Sequence, residues 1–288
     1  MKVYISNYLS KSISILDYST LELEKEILLE ENIHPHHFCI DKKQNIIYIP
    51  SAINGILYVV DMETDKIIDT VSIGGNLSQI VRCNDELFIS NEDSNSIYVL
   101  DKNTLNPVGI IGVDNMPHGF DFDSETNKLY VPCINSILCI DVLNKYIEKK
   151  VDIDFKAWHI EIDKKRKEIY TSTLDGKLVI LDTNDMSIIK VLDEFLLPIE
   201  ICFNYSSRKI YITDLGYKNI RILDYDTGKY LGSIDVDGNP QGLEISKDEK
   251  FLFVSDTQKN SIKVYSTNNN QLVKEIKVGK EPTTIVCM

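Results

Sequence analysis

The chain has little of what marks fibrous, low-complexity or membrane-spanning proteins. Only 13 of its 288 residues are glycine and 8 are proline, too few for a collagen-like or low-complexity chain. No apolar run approaches the roughly 18 residues of a membrane span. The N-terminus enters a strand pattern at once, without the basic and apolar regions of a signal peptide. We therefore expect a cytoplasmic globular protein.

Paired cysteines and an excess of positive charge are also missing. The six cysteines include no Cys-x-x-Cys pair, which argues against a zinc ribbon or a thioredoxin-like motif and predicts small, buried apolar residues. The 31 basic and 44 acidic residues give a net charge of −13. A surface this negative repels phosphate backbones and anionic lipid, so we expect neither nucleic acid nor a membrane as a partner. Such a charge favours cations, basic partners or neutral ligands.

Recognisable catalytic motifs are absent as well. The sequence contains no Gly-x-Ser-x-Gly elbow, P-loop, His-Glu-x-x-His element or dinucleotide-binding fingerprint. Single serines and cysteines have no base beside them in the sequence, although a base could be adjacent in space. Sequence motifs therefore do not identify an enzyme class.

What the chain does contain is an internal repeat. A four-residue segment headed by an aromatic residue occurs seven times, with the aromatic residues 44, 40, 42, 40, 41 and 42 positions apart. A period of about 41 residues that holds four short strands is one blade of a β-propeller. The sequence predicts one all-β domain over residues 1–288, a seven-bladed propeller of four-stranded antiparallel blades. Its repeats start near residues 2, 46, 86, 128, 168, 209 and 251.

The ends of the chain predict how this propeller closes. The chain begins on the second strand of a blade and ends on a first strand, residues 282–288. We expect this C-terminal strand to pair beside the N-terminal one, since that removes two open edges. Residues 21–32 could form an amphipathic helix by composition. We predict an outer strand there, because residues 66–71 fill the same slot of the second repeat.

Two columns of the repeat are interpreted as structural. An aspartate closes a strand and precedes a turn in six copies, where its carboxylate can accept local backbone N–H bonds. These residues are Asp17, Asp61, Asp101, Asp141, Asp182 and Asp224. The aromatic residues should fill the space between blades. They are Tyr4, Tyr48, Phe88, Tyr130, Tyr170, Tyr211 and Phe253.

The four-residue segments resemble a known repeat family. Tyr4-Ile5-Ser6-Asn7 and Tyr211-Ile212-Thr213-Asp214 are similar to the Tyr-Val-Thr-Asn element of the YVTN-repeat propellers, although no copy spells it fully. The resemblance covers the whole chain and implies a seven-bladed propeller. Because this family includes surface proteins, binding proteins and enzyme subunits, the resemblance implies no particular function.

The innermost strands carry the candidate site. Their alternate residues are apolar and should face the core between blades, so the others should face the axial channel. All five histidines lie at the heads of these strands, and loops on one face of a rigid scaffold are a usual place for binding. The ligand-binding candidates at this rim and channel mouth are His36, His37, His118, Trp158, Gln241, Asn7, Tyr8, Asn91, Asp214, Tyr217, Asp256 and Arg82.

Acidic residues form a second set in the predicted channel. Four consecutive blades contribute Asp121, Glu161, Glu200 and Glu244, with His159 among them. Because like charges disfavour one another's ionised form, we expect a raised pKa for at least one of these carboxyl groups unless a cation compensates.

Arg82 breaks its column, in which five other copies have Ile or Phe and one has Cys287. A buried guanidinium without a partner costs several kcal/mol. Arg82 either pairs with a carboxylate or reaches the channel to hold an anion. We favour the structural pairing.

These observations predict a non-enzymatic propeller that binds a small molecule, a protein or a peptide at the rim. We expect this protein to be a monomer and to require no cofactor. A structural, partner-recruiting module and a channel that holds only solvent are further possibilities.

The alternative is a divalent-metal-dependent lyase or hydrolase. Residues 116–120, Met-Pro-His-Gly-Phe, resemble the Pro-His-Gly element of streptogramin-lyase-like propellers, which implies a divalent ion held by His and Glu. The metal-binding candidates for Mg²⁺, Mn²⁺ or Ca²⁺ are His159, Glu161, Glu200, Asp121 and Glu244.

Overall fold

The computed structural model describes residues 1–30 and 32–288, in which 28 strands are joined by turns and loops. The described part of the chain contains no helix, and therefore no helix that could cross a membrane. The strands are β1 (Lys2–Asn7), β2 (Ser12–Asp17), β3 (Glu22–Leu28), β4 (Cys39–Asp41), β5 (Ile46–Pro50), β6 (Ile56–Asp61), β7 (Lys66–Ser72), β8 (Leu77–Cys83), β9 (Glu86–Asn91), β10 (Ser96–Asp101), β11 (Pro107–Gly112), β12 (Asp121–Asp123), β13 (Lys128–Cys133), β14 (Ser136–Asp141), β15 (Tyr146–Asp152), β16 (Ala157–Asp163), β17 (Glu168–Thr173), β18 (Leu178–Asp182), β19 (Ile188–Leu192), β20 (Pro198–Asn204), β21 (Lys209–Asp214), β22 (Asn219–Asp224), β23 (Tyr230–Asp235), β24 (Pro240–Ile245), β25 (Phe251–Asp256), β26 (Ser261–Ser266), β27 (Leu272–Lys277) and β28 (Pro282–Cys287).

These strands pair into seven four-stranded antiparallel sheets. The sheets are blade 1 (β28-β1-β2-β3), blade 2 (β4 to β7), blade 3 (β8 to β11), blade 4 (β12 to β15), blade 5 (β16 to β19), blade 6 (β20 to β23) and blade 7 (β24 to β27). All seven aromatic-headed segments lie on the second strand of a blade. The predicted fold class, a seven-bladed β-propeller, is confirmed.

The predicted pairing of the chain ends is also confirmed. β28 lies antiparallel beside β1, with Val3 opposite Cys287 and Ile5 opposite Ile285. The Ser6 and Thr283 hydroxyl oxygens are 2.9 Å apart across this pair. Blade 1 therefore takes its first strand from the C-terminus of the chain and its other three from the N-terminus.

The segment that could have been a helix is a strand. β3 pairs along its length with β2, and it buries Ile27 while most of its charged side chains point to solvent. Its sequence fits this half-buried setting because the apolar side chain meets the core and the glutamates stay hydrated. Glu31, within the predicted span of residues 21–32, lies outside the described residues.

The aspartate column has the structural role that the sequence predicted. Asp61 Oδ1 accepts hydrogen bonds from the backbone N–H groups of Glu63 at 3.1 Å and Thr64 at 2.7 Å. The other five carboxylates accept backbone N–H bonds from the following turn in the same manner. Each of these aspartates therefore fixes the turn between the third and fourth strands of its blade.

The core lies between neighbouring sheets. The Phe88 side chain of blade 3 packs with Phe120 and Leu129 of blade 4, and Tyr130 of blade 4 packs with Ile160 of blade 5. Apart from partly exposed Tyr4, the aromatic column is buried, which confirms its predicted place. Five of the six cysteines are buried, Cys39 is partly buried, and none forms a disulfide.

The chain forms two compact units. Unit 1 comprises residues 1–35 and 195–288 and holds blades 1, 6 and 7. Unit 2 comprises residues 36–194 and holds blades 2 to 5. The candidate residues divide between these two units.

Candidate ligand-binding site

Four histidines gather in unit 2. We call His36, His37, His118 and His159 the histidine cluster. The ring centroids of His36 and His37 are 4.4 Å apart, and the His118 ring lies 6.0 Å from His36 and 5.9 Å from His37. The His159 ring lies nearly parallel to His37 at 6.4 Å. The Trp158 indole stacks on His118 at 3.7 Å. Five predicted site residues thus come together.

The cluster depends on three blades and on one glycine. His36 and His37 lie just before β4, His118 lies before β12, and Trp158 and His159 belong to β16. The Gly119 N–H donates to the Trp158 carbonyl at 3.0 Å, and the Ile160 N–H donates to the Gly119 carbonyl at 2.7 Å. A Cβ atom on Gly119 would lie 2.0 Å from His159 Nδ1. Only glycine allows the backbone to approach the imidazole this closely.

Glu92 fixes the orientation of one imidazole. Its Oε1 atom lies 2.6 Å from His118 Nδ1, while Asn76 Nδ2 donates to Oε2 at 2.8 Å. Burial alone would raise the pKa of Glu92, but the hydrogen bond from His118 and the charges of His118 and His36 leave this pKa lowered. Because Glu92 is then ionised and its carboxylate can only accept, Nδ1 of His118 donates the hydrogen in this contact.

Burial controls the protonation of His37, whose side chain is buried within the cluster. Its pKa is held well below the usual histidine value by burial first, and then by the charges of His36, His118 and His159. His118 and His159 are only 7% exposed, whereas His36 and Trp158 are partly exposed. A ligand would therefore approach from the side of His36 and Trp158.

The acidic candidates of unit 2 have different environments. Asp121 accepts backbone N–H bonds from Phe122 at 2.7 Å and from Ile162 at 3.0 Å, and burial raises its pKa. Glu161 is partly buried on β16, two residues after His159. Within residues 1–30 and 32–288, no group of three or more His, Cys, Asp or Glu side chains is arranged to hold a metal ion.

The other two acidic candidates lie in unit 1. Burial, followed by the charge of Glu200, raises the pKa of Glu244 to about 8. The pKa is thus raised at Glu244 and at Asp121, but burial is the main cause at both, and the expected repulsion between carboxylates contributes only at Glu244. Gln241, also in unit 1, is partly exposed, and its backbone carbonyl accepts from the Thr213 hydroxyl at 2.9 Å.

Four of the predicted rim residues are buried in the scaffold. Asp214 accepts backbone N–H bonds from Leu196, Leu197 and Tyr217. Asp256 does the same for Asn239, Gln258 and Lys259 and pairs with Lys263 at 2.9 Å. The amides of Asn7 and Asn91 hydrogen bond to nearby hydroxyl and backbone groups. All four bond within the scaffold and leave almost no surface for a ligand.

The two rim tyrosines remain accessible in unit 1. Tyr8 is partly exposed, and its ring lies 5.0 Å from that of His34. Tyr217 is exposed, and its ring centre lies 5.5 Å from the guanidinium carbon of Arg221. Neither tyrosine belongs to the histidine cluster, whose residues are all in unit 2.

Arg82 pairs with a carboxylate, as predicted. Its Nη1 atom lies 2.7 Å from Asp41 Oδ2, and Lys102 Nζ lies 3.1 Å from the same oxygen. Asp41 is fully buried, so the two cations supply the compensation that its charge needs. Arg82 therefore joins blade 3 to blade 2 and is occupied by a structural partner.

Glu92 and Asp41 are the residues that sequence reasoning missed. A signal for Glu92 was present. It directly follows one aromatic-headed segment, and the corresponding residues are Tyr8, Ala52, Ile134, Leu174, Leu215 and Thr257. Glu92 is the one charged residue in this column. Asp41 carried no comparable signal, because an aspartate near the end of a short strand is common in this repeat.

Comparison with curated proteins gives distant relatives. No protein-family model matches the chain. Antigen Lp49 of Leptospira interrogans is 23% identical over 271 residues, and the match covers 91% of this chain but 44% of that protein. The uncharacterized protein YncE of Salmonella typhimurium is 21% identical over 282 residues, covering 90% of this chain and 78% of that protein. The chain thus spans less than half the length of the Leptospira relative.

Comparison with solved structures supports the fold. A protein from Lactobacillus plantarum matches with a TM-score of 0.85 at 12% identity, covering 99% of both chains. Kuenenia stuttgartiensis hydrazine synthase matches with a TM-score of 0.77 at 15% identity, over 89% of this chain and 90% of that one. The dihydro-heme d1 dehydrogenase NirN, solved in complex with DHE, matches with a TM-score of 0.71 at 11% identity. This match covers 99% of this chain and 74% of that one. Similarity at these identities defines a class, the β-propellers, and no activity.

Proposed function

We propose that this protein is a non-enzymatic binding propeller that takes a small ligand with a carboxylate or another oxyanion at the histidine cluster. The observation that carries the proposal is the convergence of four imidazoles and one indole from three blades. Side chains with hydrogen-bonding nitrogens, beside an aromatic face on a rigid scaffold, are suited to orient a small molecule.

The charges within the cluster favour an oxyanion as the ligand. Neighbouring imidazolium groups repel one another, which contributes to the lowered pKa of His37. One anion is already placed against the cluster, because the Glu92 carboxylate lies 2.6 Å from His118 Nδ1 and accepts its hydrogen bond. A ligand oxyanion beside His36 would act in the same way, since imidazolium N–H groups bind oxyanions through charge-assisted hydrogen bonds. Binding would then be coupled to proton uptake.

The comparisons support a binding role at the level of the fold. The NirN structure contains DHE, so a protein of similar fold can hold an organic molecule; that ligand is a property of NirN. We further propose that the chain belongs with the YVTN-repeat propellers. All seven aromatic-headed segments occupy equivalent places on β1, β5, β9, β13, β17, β21 and β25, which supports this assignment.

The proposal is tested by NMR spectroscopy of the histidine side chains at pH 6. Added sodium acetate or inorganic phosphate should shift the His36 and His118 signals saturably and leave His34 unchanged. His34 is the internal control because it lies in unit 1, against Tyr8. The double variant His36→Gln, His118→Gln should lose the response, while His34→Gln should keep it. Equal shifts at all histidines, or no saturable shift, would contradict the proposal.

The same spectra distinguish the metal-dependent alternative from the oxyanion proposal. Mg²⁺, Mn²⁺ or Ca²⁺ should leave the cluster signals unchanged, because the described residues offer no three-ligand arrangement. A saturable effect at His159 that disappears in Glu161→Gln would instead favour a divalent-ion site. That result would replace the oxyanion proposal.

A further inference from the structure

Trp158, the only tryptophan of the chain, distinguishes blade 5 from the other blades. The residues at the same place in the other six repeats are His36, Ser78, His118, Ile199, Gln241 and Thr283. β16 shifts register against β17 between Ala157 and His159, which makes Trp158 an extra residue in this strand. Such a bulge redirects a side chain. Blades 1, 3, 6 and 7 shift register at the same place, so the bulge belongs to the repeat and the indole is what blade 5 adds.

One face of this indole already stacks on an aromatic ring. The His118 ring lies 3.7 Å from it, with an angle of 22° between the two planes. Within residues 1–30 and 32–288, no second ring and no cation lies against Trp158, and its side chain is partly exposed. Because His118 shields one face, the accessible part of the indole is the opposite face and the ring edge.

The indole and the proposed position of the oxyanion share one neighbour. The His118 ring lies 3.7 Å from Trp158 and 6.0 Å from His36. Both Trp158 and His36 are partly exposed, whereas His118 is buried. One small molecule can therefore contact the indole and His36 together when a short chain joins its ring to its oxyanion.

The indole favours an aromatic ring over a saturated one. Two stacked aromatic rings attract each other more strongly than their buried area alone accounts for, because their quadrupoles interact in the offset arrangement. A saturated ring of similar size gains only the burial. The ring of a ligand that binds at Trp158 is therefore expected to be aromatic.

Charge favours a carboxylate among the oxyanions. The chain has a net charge of −13, the Glu92 carboxylate already contacts His118, and Glu161 lies two residues after His159. This negative field opposes each charge that a ligand brings. A phosphate monoester brings more than one negative charge at neutral pH, whereas a carboxylate brings one.

We propose that the ligand of the histidine cluster is an aromatic carboxylate, with a short chain between its ring and its carboxylate. The ring stacks on the face of Trp158 opposite His118, and the carboxylate binds beside His36. This inference rests on the proposed function and adds to it the aromatic ring and the single charge.

The test compares phenylacetate with cyclohexylacetate at pH 7, because these two molecules share the carboxylate and the short chain and differ in the ring. Intrinsic tryptophan fluorescence reports Trp158 alone, since the chain has one tryptophan. Phenylacetate should change this fluorescence saturably and shift the His36 NMR signal. It should bind about threefold or more tightly than cyclohexylacetate, and phenyl phosphate should bind less tightly than phenylacetate.

Two variants separate stacking from a structural role of the indole. Trp158→Leu keeps an apolar side chain but removes the ring, so the preference for phenylacetate over cyclohexylacetate should disappear. A structural role alone would weaken both ligands equally and keep the preference. Calorimetry measures the affinities, because this variant has no tryptophan. Trp158→Phe should restore the preference. Tyr217→Leu is the matched control, because Tyr217 is an exposed aromatic residue in unit 1, and it should behave as the wild type does.

The outcomes distinguish this inference from the proposed function. Equal or tighter binding of cyclohexylacetate by the wild type, or a preference that survives in Trp158→Leu, would overturn the aromatic ligand while acetate binding at His36 supports the proposed function. Absence of any response to acetate and phenylacetate would overturn both. Tighter binding of phenyl phosphate would overturn the carboxylate. Thermal melting checks the fold, and Trp158→Ile, which matches Ile199 of blade 6, replaces Trp158→Leu should that variant fail to fold.

Discussion

At the scale of single residues, His37 couples folding to pH. Its pKa in the folded protein is lowered by burial and by the other three histidines of the cluster. The unfolded chain therefore takes up a proton near pH 6.5 that the folded chain takes up only at lower pH. The stability contributed by neutral His37 is fully present above about pH 6.5 and is lost as the pH falls towards the lowered value.

We predict that thermal stability falls from pH 7 to pH 5 more steeply in the wild type than in His37→Gln, because the variant has no imidazole to protonate on unfolding. The measurement is Tm by calorimetry across this range. Glu244 has the opposite effect, since its raised pKa favours folding as the pH falls from about 8. The difference between wild type and His37→Gln removes this contribution, and parallel curves would refute the role given to His37.

Gly119 provides a second prediction at the same scale. Gly119→Ala places a methyl group 2.0 Å from His159 Nδ1, so the ring must move. Overpacking of this kind typically costs about 1–3 kcal/mol, and the His159 NMR signal should shift. Gly112→Ala is the control, because a Cβ at Gly112 meets no atom within 4 Å. Equal melting temperatures and an unchanged His159 signal in Gly119→Ala would contradict the assigned contact.

At the scale of elements, β28 determines whether blade 1 is complete. Removal of residues 282–288 takes away the first strand of this blade and uncovers the edge of β1. It also removes Ile285 from the core formed with Val3, Ile5 and Phe253. We predict loss of cooperative folding, measured by circular dichroism and thermal melting. Deletion of Met288 alone, which keeps β28 and loses only the two backbone hydrogen bonds between Met288 and Lys2, is the control. An unchanged melting midpoint in the longer truncation would contradict the role of β28.

The strands could be predicted because the same sequence pattern occurs in seven copies, and each copy supports the assignment of the others. A single segment such as residues 21–32 is ambiguous between helix and strand, but its alignment with β7 resolves the choice in favour of β3. The aspartate and aromatic columns were predictable for the same reason. The site was less predictable, because its partners come from different repeats. Glu92 lies 26 positions before His118, a spacing unrelated to the repeat. Asp41 lies 41 positions, about one repeat, before Arg82, but no other copy has an arginine in that column to indicate the pair.

The rim illustrates a different limit of sequence reasoning. Asn7, Asn91, Asp214 and Asp256 have residue types common in binding loops, yet all four are buried. Asn91, Asp214 and Asp256 hold nearby loops, and Asn7 bonds to serine hydroxyls of β2. The amide and carboxylate groups of such residues can hydrogen bond equally well to a ligand or to the backbone. Only the positions of the neighbouring N–H groups distinguish these roles, and those positions depend on the tertiary structure.

At the scale of the whole molecule, the net charge of −13 opposes the binding of an oxyanion. Under the proposed function, proton uptake by the histidine cluster overcomes this opposition. The overall field repels anions, so the attraction must be created locally by protonation of the histidine cluster. Binding should accordingly strengthen as the pH falls from 8 to 6. Increasing salt should weaken the direct contact with the ligand while also screening the overall repulsion.

The most direct test is the number of protons that the protein exchanges on binding acetate at pH 7. Isothermal titration calorimetry in buffers of different ionisation enthalpy measures this number. We expect net proton uptake by the wild type and by His34→Gln, and loss of acetate binding in the double variant His36→Gln, His118→Gln. Acetate binding without proton exchange, or with equal uptake in the double variant, would contradict the assignment of the histidine cluster as the ligand site.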